Sequence, residues 1–159
     1  MTVMMSGEHP MREREEALFR LWQASLPQDE QESFVSDGIV DPTAYNRSSP
    51  KILFLLKEVN DTGGGGWCLR EYLRKGGRSE TWGVVARWLR ALRKLPVELR
   101  WDQIKDVTEA QRCEELESIA AINLKKIPGG HTTNVGTWWP IVERDQGIFV
   151  SSSRSTKQI

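Results

Sequence analysis

"KILFLLKEVND" at residues 51–61 and "IAAINLKK" at residues 119–126 decide the fold. Each begins as a short, continuously apolar run and ends in polar residues. Lys57, Glu58 and Asn60 close the first, and Asn123, Lys125 and Lys126 close the second. A short unbroken apolar run bounded by turn signals is the pattern of a strand covered on both faces. Between the runs lie helical patterns. "WCLREYLRKGG" (67–77) is a short helix closed by Gly76 and Gly77, and "SETWGVVARWLRALRKLP" (79–96) repeats Trp82, Val85, Leu89 and Leu92 at helical spacing. "TEAQRCEELES" (108–118) opens with a capping box, Thr108 with Gln111. Ahead of the first run, Pro10 starts a helix whose apolar stripe is Leu18, Leu21, Trp22 and Leu26. The order helix, strand, helices, strand predicts an α/β fold, a parallel central sheet flanked by helices. In such sheets ligands sit at the carboxyl ends of strands, where both polar clusters stand.

The remaining segments read differently. "FVSDGIVDPTAYNRSSP" (34–50) carries Asp–Gly, Asp–Pro and Ser–Pro signals and reads as an irregular approach to the first strand. The last stretch, "HTTNVGTWWPIVERDQGIFVSSSRSTKQI" (131–159), shows no sustained period and holds at most one strand, "GIFV". The expected organisation is one domain over residues 1–133, incomplete at its C-terminal end, followed by an atypical, disordered or unrelated tail over 134–159.

A formal net charge of zero excludes the simple electrostatic case for nucleic-acid binding. Charge is uneven, though, with a basic cluster downstream of the glycines from Arg70 to Arg100 that a solvated helix face also explains. No apolar run approaches the roughly 20 residues of a membrane span, and the start lacks the apolar core of a signal peptide. Cys68 and Cys113, far apart, supply neither a disulfide framework nor a zinc or iron–sulfur site. A cytoplasmic location is the simplest expectation; oligomeric state is not legible.

The run "TGGGGWC" (62–68) invites a phosphate-binding reading. A P-loop needs Gly-Lys-Ser/Thr at its end, where Trp67 and Cys68 stand, and the dinucleotide fingerprint places its third glycine on Cys68. What survives is a generic backbone nest at Gly64 and Gly65, or a plain surface loop. Glu58, just past a buried strand, suits a general base at a cleft rim, or a surface glutamate paired with Lys57 or an arginine. Asn123 can read a base edge or cap a turn. Trp67 can stack on a planar ligand or pack over the next helix.

Taken together, "KILFLLKEVND", the glycine turn with Trp67 and "IAAINLKK" resemble the uracil-DNA glycosylase-like superfamily, and within it an uncharacterised bacterial branch with a Lys-Glu-x-Asn first motif. The resemblance covers roughly residues 12–133. It implies DNA as partner and hydrolysis of the N-glycosidic bond of an altered base rotated out of the duplex, as in DNA repair. Glu58 would be the catalytic carboxylate, and Trp67, Asn60 and Asn123 would hold the base. Lys57, Gly64, Gly65, Lys125 and Lys126 would contact DNA or its phosphates, with Arg87 and Arg90 beside them. The implied chemistry uses no metal or other cofactor. Glu58 stands where the family's motif has aspartate, Val59 and Asn60 where it has Pro-Tyr, and nothing after Asn123 matches its terminal His-Pro-Ser-type loop. A non-catalytic nucleic-acid or nucleotide-binding protein and an inactive, truncated fragment are therefore the alternatives on the same scaffold.

Overall fold

The computed structural model describes residues 8–132 and 134–157, with side chains for 11–132 and 134–150. Helix α1 (Glu8–Ser25) and the single turn α2 (Gln28–Gln31) precede strand β1 (Gly38–Ile39) and helix α3 (Pro42–Arg47). Strand β2 (Leu53–Leu56) leads to α4 (Leu69–Arg74), α5 (Ser79–Arg93), α6 (Trp101–Ile104) and α7 (Glu109–Glu117). Strand β3 (Ala120–Asn123) and α8 (Val135–Lys157) complete the order. No helix of the described residues is long and apolar enough to cross a membrane.

The two apolar runs form the expected parallel pair, in register from Leu53 opposite Ala120 to Leu56 opposite Asn123. The sheet around them is small, open and mixed: its order is β1-β3-β2, and β1 runs antiparallel to β3. Of the two apolar runs, only β3 is fully covered, with every residue buried. Strand β2 is an edge. Phe54 and Leu56 face the core of Val85, Leu89 and Leu116, while Leu53 meets Met11, Ile39 and Tyr45 on the other face. Leu55 is 56% exposed. An apolar run thus marked a strand, but period-two geometry and position decided which side chains were covered.

Three other expectations change. The segment read as irregular contains β1 and α3, the latter started by the Asp41 side chain accepting from the Ala44 N–H with Pro42 in the first turn. Helix α1 buries Met11, Glu15, Phe19 and Trp22, continued by Leu26 just past its end, whereas Leu21 is 68% exposed. The true stripe follows spacings of four, four, three and four. It was disguised because Glu15, a charged residue, occupies one of its positions. "GIFV" is helical rather than a strand, lying within α8. There Ile148 and Phe149 pack on the Phe19, Trp22, Leu26 and Phe34 cluster. Helix α8 also buries Asp145, held by Arg144, so its inner face lacked an apolar period. The side chains of 151–159 lie outside the described residues.

Candidate functional site

Pairing between the two apolar runs does not stop at the strand ends. Leu124 N–H donates to Leu56 C=O and Lys125 N–H to Lys57 C=O, at 2.8 and 3.0 Å. Farther on, Gly129 N–H donates to Val59 C=O (2.9 Å) and Asp61 N–H to Gly129 C=O (3.2 Å). The polar clusters after β2 and β3 are therefore zipped side by side. Opposite them stand the start of α4 and the first turn of α5, and between these walls lies an open cavity of about 480 Å³. Glu58, Asn60, Trp67 and Asn123 all line it, with Lys57 beside them. Five residues chosen from sequence, from Lys57 to Asn123, thus converge on one cavity. Tyr72 and Trp82, absent from the sequence-based set, complete an aromatic wall.

Glu58 does not project freely. Its carboxylate accepts from Lys125 Nζ at 2.5 Å, and the two side chains are 6% and 12% exposed. Lys125 also donates to Pro128 C=O (3.2 Å). On its other side Glu58 lies against Gly129, where an added Cβ would come within 2.2 Å of the carboxylate carbon. The glycine in "PGG" is needed because the carboxylate fills the space of a side chain. Lys125, expected at a phosphate, is instead the partner of Glu58.

Asn123 is 1% exposed and its orientation is set from behind. Its backbone N–H and its Nδ2 both donate to Asp37 Oδ2, at 2.7 and 3.2 Å. Asp37 Oδ1 in turn accepts from Lys126 Nζ, and both side chains of that pair are fully buried. The ammonium also sits 4.5 Å from the Trp22 ring centroid and 5.0 Å from that of Phe19. Burial pulls the Lys126 pKa down, against the opposing pull of Asp37. Lys126 therefore cannot serve as the expected phosphate contact, since no exposed surface remains on it. Asn123 Oδ1 is left without a hydrogen-bond partner. An unmet buried acceptor costs about 1–3 kcal/mol, which a ligand donor at this wall would recover.

The glycine turn has its own anion. Asp61 accepts from Gly63 N–H (2.6 Å), Gly65 N–H (3.0 Å) and Trp67 Nε1 (2.8 Å). These bonds, led by that from Trp67, hold the Asp61 carboxyl below its ordinary pKa. A phosphate contact from Gly65 N–H is thereby corrected, because the chain's own carboxylate takes that N–H, and neither Gly64 nor Gly65 lines the cavity. What the glycines permit is close passage: Gly65, at φ +83°, leaves no room for a Cβ, which would lie 2.2 Å from Ser33 C=O. Trp67 is fixed by Asp61 at its N–H and by Tyr72 at its face, ring centroids 5.7 Å apart.

Basic residues contribute less than their number suggested. Arg78, largely exposed, is on the cavity wall at the start of α5. Arg87 lies beyond, over the Trp101 ring at 5.8 Å, and Arg90 lines a separate cleft with Glu114 and Glu115. Arg90 is eight residues past Trp82, about 12 Å along the helix. Asp37 was the residue sequence reasoning missed; it stood in an Asp–Gly turn signal, and only its place after the apolar Phe34 and Val35 hinted at burial. No protein-family model, curated protein or solved structure matches this chain.

Proposed function

We propose that the chain is a uracil-DNA glycosylase-like protein whose cavity receives a nucleobase rotated out of DNA and hydrolyses its N-glycosidic bond. One observation carries this reading: Glu58, Asn60, Trp67 and Asn123 share one cavity at the carboxyl ends of parallel strands. The volume accommodates a base and part of its sugar, and Trp67, Tyr72 and Trp82 offer aromatic surface to a planar ring. Asn123 Oδ1 is an acceptor for a base N–H. In the reaction the bond from the sugar's anomeric carbon to the base nitrogen breaks, and its electron pair leaves with the base. Positive charge then grows on the sugar, where the Glu58 carboxylate stabilises it and takes a proton from the attacking water. Lys125 holds that carboxylate in place.

The test is incubation of the pure protein with single- and double-stranded DNA containing uracil or other altered bases, scoring abasic sites beside a Glu58→Gln control. Abasic sites from the native chain and a large loss in the control are expected. A folded sample that leaves every substrate intact contradicts hydrolysis. The close Glu58–Lys125 pair favours one second reading, a base-binding protein without chemistry. DNA binding that weakens steeply with salt, without abasic sites, selects it.

A further inference from the structure

We propose that the open edge of β2 and the flank of α5 beside it form one self-complementary surface, on which a second copy of this chain docks about a two-fold axis. Leu55 and Trp88, its central residues, do not line the cavity, so the inference stands apart from the base-site reading. In the order β1-β3-β2, β2 has a neighbour on one side only. Ile52 and Leu56 turn their C=O groups to β3, accepting from Ala120 and Leu124 N–H. Alternation along the strand therefore turns the N–H and C=O of Leu53 and Leu55 to the open side, where none of the described residues takes them. Native edges are commonly guarded by charge or proline. Residues 52–56 carry neither. Lys51 is drawn back to Tyr45 C=O, Lys57 lines the cavity, and Leu55 is exposed.

Helix α5 lies over this edge. Helix α4 packs on β1, and α7 packs on both α4 and α5, which leaves α5 over β2, where Val85 and Leu89 meet Phe54 and Leu56. Arg90 and Arg93 turn toward α7, in a cleft with Glu114 and Glu115. At about 3.6 residues per turn, the opposite flank, beyond the sheet edge, carries Val84, Trp88, Ala91 and Leu95. Their spacings of four, three and four are those of a seam between two packed helices, and none of them is charged. Trp88 and Leu95 are exposed.

An edge strand flanked by a helix seam is matched by another such pair, which the second copy supplies. A two-fold axis perpendicular to the sheet sets the two β2 strands antiparallel and both α5 helices on the same face, seam to seam. Charge chooses the register. An axis at Phe54 opposes Lys57 to Lys51, whereas an axis at Leu55 sets Leu55 on Leu55 and Lys57 beside Leu53. Leu55 then exchanges both its backbone hydrogen bonds with its mate. The ladder stops at Lys57, whose C=O is held by Lys125 N–H and Trp138 Nε1. A formal net charge of zero puts no long-range repulsion between copies.

Sedimentation equilibrium of the full chain, from micromolar to millimolar concentration, tests this beside Leu55→Lys and Trp88→Glu. The native chain should move from 18.2 kDa toward twice that mass, and each variant should weaken the association by roughly tenfold or more. Both side chains are exposed, so circular dichroism should show the native fold in each variant. Mild oxidation should link Leu55→Cys to its mate, because hydrogen-bonded antiparallel partners lie about 5.5 Å apart at Cα, within reach of a disulfide. Leu53→Cys, set against Lys57, should not link to its mate. A monomer at every concentration overturns the proposal, as does a dimer that both substitutions leave unchanged. Growth past a dimer excludes the closed two-fold arrangement. A monomer whose Leu53 and Leu55 amides resist exchange assigns the edge to another segment and overturns the second copy. If a charged variant does not fold, the native mass and the Leu55→Cys link still decide.

Discussion

Lys125 and Lys126 are adjacent in the chain, and each meets a carboxylate, yet the two pairs differ in kind. Lys126 and Asp37 are wholly removed from solvent, and Asp37 spends its remaining oxygen on Asn123. Lys125 and Glu58 stand at the cavity wall with 12% and 6% exposure, and only the glycine at 129 permits the carboxylate its position. The first pair is framework: it sets the direction of a neighbour and has no route to a ligand. The second is close enough to the cavity for a ligand to meet Glu58 directly. The same kind of ion pair is sealed in one place and lines a cavity in the other, with access to the cavity as the difference.

That contrast breaks first at the buried pair. Lys126→Ala leaves the buried Asp37 charge without its counter-ion and should cost about 3–5 kcal/mol, read as a lower denaturation midpoint. Lys125→Ala, whose partner lines the cavity, should cost less, about 1–3 kcal/mol. Equal losses would show that the two pairs do the same job. Gly129→Ala comes next. Its methyl collides with the Glu58 carboxylate, so a loss of about 1–3 kcal/mol should accompany disruption of any Glu58-dependent activity, whereas Gly130→Ala, with open space at its Cβ, should be nearly silent. The smallest effect belongs to the glycine turn. The Asp61 pKa is lowered in the folded chain, so its contribution is fully present above the ordinary value of 3.8 and is lost as pH falls through the lowered one. Asp61→Asn should lower stability slightly at neutral pH and converge with the native chain in acid, so that the acid limb of the stability curve below pH 3.8 is flatter. Circular dichroism melts across that range check it.

Local patterns carried much of the fold. Apolar runs located β2 and β3, the Thr108–Gln111 capping box located α7, and polar residues after both strands come together on one cavity. Long-range electrostatics were not legible. Asp37 finds its partners 86 and 89 residues away, so nothing near it in sequence distinguishes a buried organiser from a turn residue. Lys125 and Lys126 read as a basic doublet for phosphate because pairing with Glu58 and Asp37 is a property of the zipped strands, not of the doublet. Helix α8 was hidden for a related reason: its inner face spends a position on Asp145, and Pro140 lies within the helix. Buried charges broke the apolar period in both α1 and α8, which pack on one another around the Trp22 cluster.

The central claim, that a nucleobase occupies the cavity between the ends of β2 and β3, is tested most directly by titrating uracil into isotope-labelled protein and mapping the NMR shifts. Saturable shifts should concentrate at Glu58, Asn60, Trp67 and Asn123, with Arg87 and Arg90 unmoved, and Asn123→Ala should weaken them by roughly tenfold or more. Shifts centred elsewhere, or none in a folded sample, would contradict it.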